Sequence, residues 1–195
     1  MSKPPFRQVR AVHDEDTITV YQAYSPAIAS AAVAAGGFVP PFRRERMTWI
    51  KPSFLWMMYR CGWATKPGQE RVLAIRMLRS GFEEALSMAS LSHFDPAVYA
   101  DQEVWQQRKA ASPVRVQWDP ERDVRLEPLA WRSLQVGLGG VAVERYVDDW
   151  VVGIEDITAM VEELRERAPD DRRSSLPIEL PYPLPPEVAA VVGAT

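Results

Sequence analysis

A chain of 195 residues and 22.0 kDa is the size of one domain with a substantial core. Its 47% hydrophobic and 25% charged residues are ordinary for a globular protein, and a net charge of −3 supplies no global field toward nucleic acid. One cysteine (Cys61) excludes an internal disulfide framework, and with His13 and His93 it leaves too few ligands for a Cys/His zinc site. No apolar run approaches a membrane span and Met1 to Arg10 lacks a signal-peptide core, so a cytoplasmic protein without metal is expected.

A basic segment, Arg7 to Arg10, precedes the acidic turn His13-Asp-Glu-Asp16. Thr17 to Ala23 then alternates as a half-buried strand, with Ile18, Val20 and Gln22 on one face and Thr19, Tyr21 and Ala23 on the other. Ser25-Pro26 opens a helix whose expected buried stripe is Ile28, Ala31, Ala32 and Ala35, and Gly36-Gly37 ends it. Phe38 to Arg46 is a loop rich in proline and arginine. Its Arg43, Arg44 and Arg46 suit either phosphate binding or a solvated connector.

Met47 to Lys51 reads as a short strand, placed in one sheet core with Thr17–Ala23. Pro52 is expected at the first helical position, Ser53 to Cys61 completes that helix, and Gly62 offers a left-handed cap. Arg71 to Arg79 is a strand, followed by a helix with the stripe Phe82, Ala85, Leu86 and Ala89. Asp95 to Ala110 is a polar helix or helical loop. Val114, Val116 and Trp118 alternate as a strand ending at the turn Asp119-Pro-Glu-Arg122. Trp131 to Leu138 is apolar without a clear period, Val141 to Val147 is helical, and Trp150 to Ile154 is rich in strand formers. Asp156 or Thr158 caps a helix at Ala159 to Arg167, and Pro169 to Ser175 is a charged linker. Five prolines (177, 181, 183, 185, 186) exclude regular helix or central strand from the tail, which is expected to run over the surface. The reading is a single α+β domain at 1–175 with a proline-rich C-terminal strap at 176–195.

No Walker loop, dinucleotide glycine fingerprint or GxSxG elbow is present; Gly137-Leu-Gly-Gly140 has the wrong spacing. Cys61 inside an apolar helix reads as core rather than as a nucleophile paired with His93. Glu83-Glu84 and Glu162-Glu163 read as solvated helix faces, whereas Asp148-Asp149 precedes a strand and can direct one carboxylate inward. Trp49 and Lys51 share a strand face. On the next helix Ser53, Met57 and Arg60 share a side, while Trp56, Tyr59 and Trp63 form an aromatic stripe, with Trp56 read as core. Lys51 and Arg60 sit at the two ends of an apolar helix. Buried cations need partners, so a solvated cleft or an anionic ligand accounts for both.

Several segments together resemble the family known as domain of unknown function 4291. They are Arg7-Gln-Val-Arg-Ala-Val12, Thr17 to Tyr24, Met47 to Trp63, Gln117-Trp-Asp-Pro-Glu-Arg122 and Leu176-Pro-Ile-Glu-Leu-Pro-Tyr182. A weaker resemblance is to the ADP-ribosyltransferase superfamily, carried by Val20 to Tyr24, Trp49 to Tyr59 and Asp148 to Ile154, with Gln22 where that superfamily has His or Arg and Asp where it has Glu. That resemblance implies a split β-sheet core with packed helices, NAD as cofactor, and Gln22, Tyr59 and Asp149 (or Asp148) as catalytic residues. Tyr24, Trp49 and Tyr59 would stack on nicotinamide, and Lys51, Arg60 or the Arg43–Arg46 loop would take the pyrophosphate. Ser53 stands at the place of the superfamily's serine, and with Arg46 completes the expected cofactor site. Two other functions stay open: a binding module for nucleic acid or RNA/DNA ends, and a partner-binding protein using its tail.

Overall fold

The alternation at Thr17 to Tyr24 becomes the strand from which both halves of the protein grow. The computed structural model describes residues 4–195. In chain order its elements are β1 (Arg10–Ala11), β2 (Thr17–Tyr24), α1 (Pro26–Ala35), β3 (Thr48–Ile50), α2 (Phe54–Cys61), β4 (Arg71–Leu78), α3 (Arg79–Ser87), β5 (Ala89–Leu91) and α4 (Gln102–Ala111). There follow β6 (Val114–Arg122), β7 (Pro128–Leu138), α5 (Val141–Arg145), a π-helical turn (Tyr146–Trp150), β8 (Val151–Asp156), α6 (Thr158–Glu166), α7 (Pro169–Arg172), a 3-10 turn (Arg173–Ser175), β9 (Leu180–Pro181) and α8 (Pro186–Val192).

The architecture is α+β. One antiparallel sheet has the order β2-β4-β8, a second has the order β3-β7-β6-β5 with β5 parallel to β6, and β1 pairs with β9. β2 and β3 therefore belong to different sheets, not to one as expected. The sheets join where the Tyr21 and Lys51 backbones exchange hydrogen bonds of 2.7 and 3.2 Å. Both faces of β2 are covered. Ile18 and Val20 enter the main core with Ala29 and Ala32 of α1, Phe82 and Leu86 of α3, and Val116 and Val136 of the second sheet. Tyr21 enters a smaller core with Phe54, Met58 and Cys61 of α2 and Val161 and Leu164 of α6. Each Val, Leu, Ile, Phe or Met side chain among them contributes about 1.5–3 kcal/mol of burial.

Four local expectations are corrected. α1 buries Ala29 and Ala32, while Ala35 is exposed; with alanine at most positions the apolar pattern has no phase. Pro52 stands outside α2, because the Ser53 hydroxyl accepts from the Trp56 amide and makes Ser53 the cap. Asp119 to Arg122 is not a terminating turn: β6 runs through it against β7, and a register shift between Pro120 and Arg122 absorbs the proline. The tail does form helix, α8, because Pro185 and Pro186 fall before it and at its first position, where no N–H is required. Val188 and Val192 are buried, and the Trp118 indole donates to the Val192 carbonyl at 2.8 Å. Among the described residues no helix is long and apolar enough to cross a membrane.

Candidate ligand-binding site

The seam between the sheets opens into a cavity of about 530 Å³, a volume in the range of small-molecule sites. β2 contributes Gln22 and Tyr24, the loop after α1 contributes Phe42, Arg43 and Arg46, and the β3 segment contributes Thr48, Trp49 and Lys51. Met57 and Arg60 reach it from α2, Gln69 from the following turn, and Gln117 and Gln135 from β6 and β7.

Alternation delivers this wall. Trp49 and Lys51 point the same way from their strand, as expected, and both line the cavity. Trp49 lies against Gly137 of β7, where a Cβ would come within 2.9 Å of the indole ring, so glycine is needed for close approach. Lys51 is only 6% exposed and donates to the Trp49 carbonyl at 3.3 Å. Burial, helped by the Arg60 guanidinium, pulls its ammonium down to about 7.

Gln22 is buried and its amide is engaged by the protein. Nε2 lies 2.8 Å from the Tyr24 hydroxyl, 2.7 Å from Thr48 Oγ1 and 3.1 Å from the Trp49 carbonyl, and Oε1 accepts from the Tyr146 hydroxyl at 2.9 Å. Tyr24 and Thr48 also share a hydrogen bond of 2.8 Å. Only one hydrogen can lie between the Tyr24 and Thr48 oxygens, and the Gln22 amide nitrogen beside both is a donor that accepts none. One hydroxyl hydrogen of Tyr24 or Thr48 therefore remains for a ligand acceptor. The Gln22 amide holds both hydroxyls in place.

The basic loop divides its arginines. Arg44 turns away to hold Glu144 at 2.9 Å and Asp148 at 2.7 Å, and that hydrogen-bonded partner lowers the Asp148 carboxyl. Phe38 and Phe42 stack at 4.5 Å and pack on Tyr24, with Phe38 also on Tyr146. The loop is thus clamped at both faces, and Arg43 and Arg46 are left at the cavity, Arg43 carrying an exposed pair with Glu45. Arg60 touches Gln69 at 3.5 Å. Among the described residues, Arg46, Lys51 and Arg60 form no salt bridge and no carboxylate lines the cavity. Asp119 stands behind the lining, accepting from Gln117 at 2.9 Å and Gln135 at 2.5 Å.

Of the sequence-predicted site, the structure brings together Gln22, Tyr24, Arg46, Trp49, Lys51 and Arg60. It does not bring in Tyr59, Ser53 or Asp149. Tyr59 is exposed outside the cavity beneath the Arg122 guanidinium, 3.6 Å from its ring. Ser53 caps α2 and donates to Glu121 at 2.8 Å, in a polar cluster where Glu179 accepts from the Phe54 amide at 2.7 Å. Asp149 is exposed on the π-helical turn, 3.6 Å from Arg145, and Asp148 is the loop clamp. Neither enters the cavity, because the turn before β8 winds as π-helix rather than leading both residues into the strand. Sequence reading missed Thr48, Gln117, Gln135 and Tyr146; for the glutamines the available signal was polar residues in otherwise apolar strands. Among the described residues no group of His, Cys, Asp and Glu could hold a metal.

Residues 8–182 match the family model described as domain of unknown function (DUF4291), and the chain belongs to that family. No curated protein matches it.

Proposed function

We propose that this DUF4291 protein binds an anionic small molecule bearing a flat ring, with a nucleotide such as NAD as the leading candidate. The observation that carries the reading is the imbalance of the cavity: Arg43, Arg46, Arg60 and Lys51 line it together with a surplus hydroxyl donor, only Arg43 has a salt-bridge partner, and among the described residues no carboxylate is part of the lining. Such a site asks for an acceptor-rich ligand, and guanidinium groups match phosphate in geometry as well as charge. Trp49, Tyr24 and Phe42 supply ring faces beside those donors. The proposal is binding rather than ADP-ribose transfer. An oxocarbenium needs an anionic neighbour, and Asp148 and Asp149 both lie outside the lining.

Titration calorimetry with pyrophosphate, ADP and NAD tests this. We expect binding of all three, and Arg46→Ala with Arg60→Ala should weaken it by about 1.5–3 kcal/mol per lost charge-assisted contact. Absence of binding, or an unchanged affinity in the double variant, would refute the reading. A short single-stranded oligonucleotide that binds with a steep salt dependence while NAD does not would favour a nucleic-acid end instead. Nicotinamide release from NAD would restore transfer chemistry.

A further inference from the structure

We propose that the Lys51 amine forms an imine with the carbonyl carbon of a phosphorylated aldehyde held in the cavity. The inference rests on the binding reading above and adds a covalent step to it. Lys51 is one of four lysines in the chain, with Lys3, Lys66 and Lys109. It differs from an ordinary surface lysine in three ways. Its side chain is buried yet lines the cavity, it has no carboxylate within salt-bridge distance among the described residues, and its ammonium contacts no stronger acceptor than the Trp49 carbonyl at 3.3 Å.

Burial first, and then Arg60, favour the neutral amine, against the opposite pull of Asp119 and Cys61. Arg60 and the Cys61 thiol face it from α2, Asp119 from β6, and Tyr21 of β2 meets it through the backbone. Arg60 repels the ammonium and outweighs Asp119, which attracts it while also accepting from Gln117 and Gln135. The Trp56 ring centroid at 5.5 Å offers only a weak aromatic contact. With the amine brought to about 7, about half the molecules carry an unshared nitrogen pair at neutral pH. A lysine that is desolvated or set beside another cation is the activated form of this nucleophile. Arg43, Arg46 and Arg60 are positioned to take the phosphate of the same molecule.

The step balances without oxidant or reductant. The nitrogen pair adds to the carbonyl carbon as the C=O π pair moves to oxygen, giving a carbinolamine. The nitrogen then gives up its two hydrogens, the carbonyl oxygen departs as water, and a C=N bond replaces C=O. Cavity water and the surplus hydroxyl of Tyr24 or Thr48 carry the protons.

The test uses the full chain, pyridoxal 5′-phosphate as the probe aldehyde, and borohydride, whose hydride adds to the imine carbon and fixes the adduct. Peptide mass spectrometry then reads each lysine. We expect Lys51 to carry at least about tenfold more adduct than Lys66 or Lys109, pyrophosphate to suppress it competitively, and its rate to rise with pH around a midpoint near 7. Lys51→Arg, which removes the nucleophilic amine, should remove the fast phase. Adducts confined to Lys66, Lys109, Lys3 or the N-terminus would overturn the inference, as would Lys51 labelling indifferent to pyrophosphate. Wild type alone gives these readings, so they decide the matter even where the variant fails to fold. Pyrophosphate binding without Lys51 adduct sinks only this inference; absence of pyrophosphate binding sinks the binding reading as well.

Discussion

Gln22→Leu is the perturbation that best separates a positioning role from a merely buried one. The substitution roughly keeps the volume and removes the amide. The Tyr146 side chain is fully buried and loses the acceptor it meets at 2.9 Å, which costs about 1–3 kcal/mol for a stranded donor. The damage stops there. Tyr24 and Thr48 still hold each other at 2.8 Å, and the Trp49 carbonyl still accepts from Lys51 at 3.3 Å. A total of about 1–3 kcal/mol corresponds, for a chain of this size, to a fall in Tm of roughly 2–12 °C. Adding Tyr146→Phe removes the orphaned hydroxyl, so the double variant should be less destabilised than the sum of the singles by about 1 kcal/mol or more. Scanning calorimetry of the four proteins measures the cycle, and NAD titration of the same samples should show weaker binding because Tyr24 and Thr48 lose their anchor. A Gln22→Leu protein melting within about 1 °C of wild type, or strictly additive singles, would refute this account.

Gly81→Ala places a methyl carbon 2.3 Å from the Trp150 ring; overpacking of about 1–3 kcal/mol or more exceeds the roughly 1 kcal/mol helical gain of alanine, so chemical denaturation should show a net loss, and an unchanged or raised midpoint would mean Trp150 swings aside freely. Glu179 is pushed up to about 8 by burial and by its neighbour Glu121. The folded state therefore binds more protons than the unfolded between about pH 4.5 and 8, and stability from this group is full below that window and lost as pH rises through it. Glu179→Gln should be the more stable protein at pH 8, by on the order of 2–4 kcal/mol, with the two urea curves converging toward pH 4.5; parallel curves across the window would disprove the linkage. Differences between the two proteins cancel the opposite contribution of Lys51, whose lowered proton affinity makes stability rise from about 7 toward 10.5.

Where one residue settles a backbone decision, the sequence was enough to place it. Thr17 to Tyr24 alternates and is β2; Gly36 and Gly62 adopt left-handed φ and end α1 and α2. Where two local rules compete, it was not. At Pro52-Ser53 the proline and the serine both signal a helix start, and the hydroxyl's bond to the Trp56 amide decides in favour of Ser53. In the tail, counting prolines hid their placement: Pro185 and Pro186 open α8, and the contacts that fix that helix, the Trp118 indole on the Val192 carbonyl among them, come from far off in the chain. The join between the sheets was not legible because its backbone part is a single pair of hydrogen bonds, Tyr21 with Lys51, and the Gln22, Tyr24 and Thr48 side chains that bridge it leave no periodic pattern in the sequence.

The candidate site divides along the same line. Trp49, Lys51 and Arg60 were legible because cations beside an apolar helix have few natural environments and strand alternation gives their direction. The carboxylates were not, since sequence supplies charge but not pairing. Asp148 and Arg44 lie far apart in the chain and form a 2.7 Å pair. That pair decides two things at once. It uses the acid that seemed ready to face a ligand, and it withdraws one loop arginine while holding Arg43 and Arg46 at the cavity. On the binding proposal, removing Asp148 would thus act through the loop rather than through direct contact with a ligand. The cavity is left with cations and donors and, among the described residues, no carboxylate in its lining, which is the imbalance the binding proposal rests on.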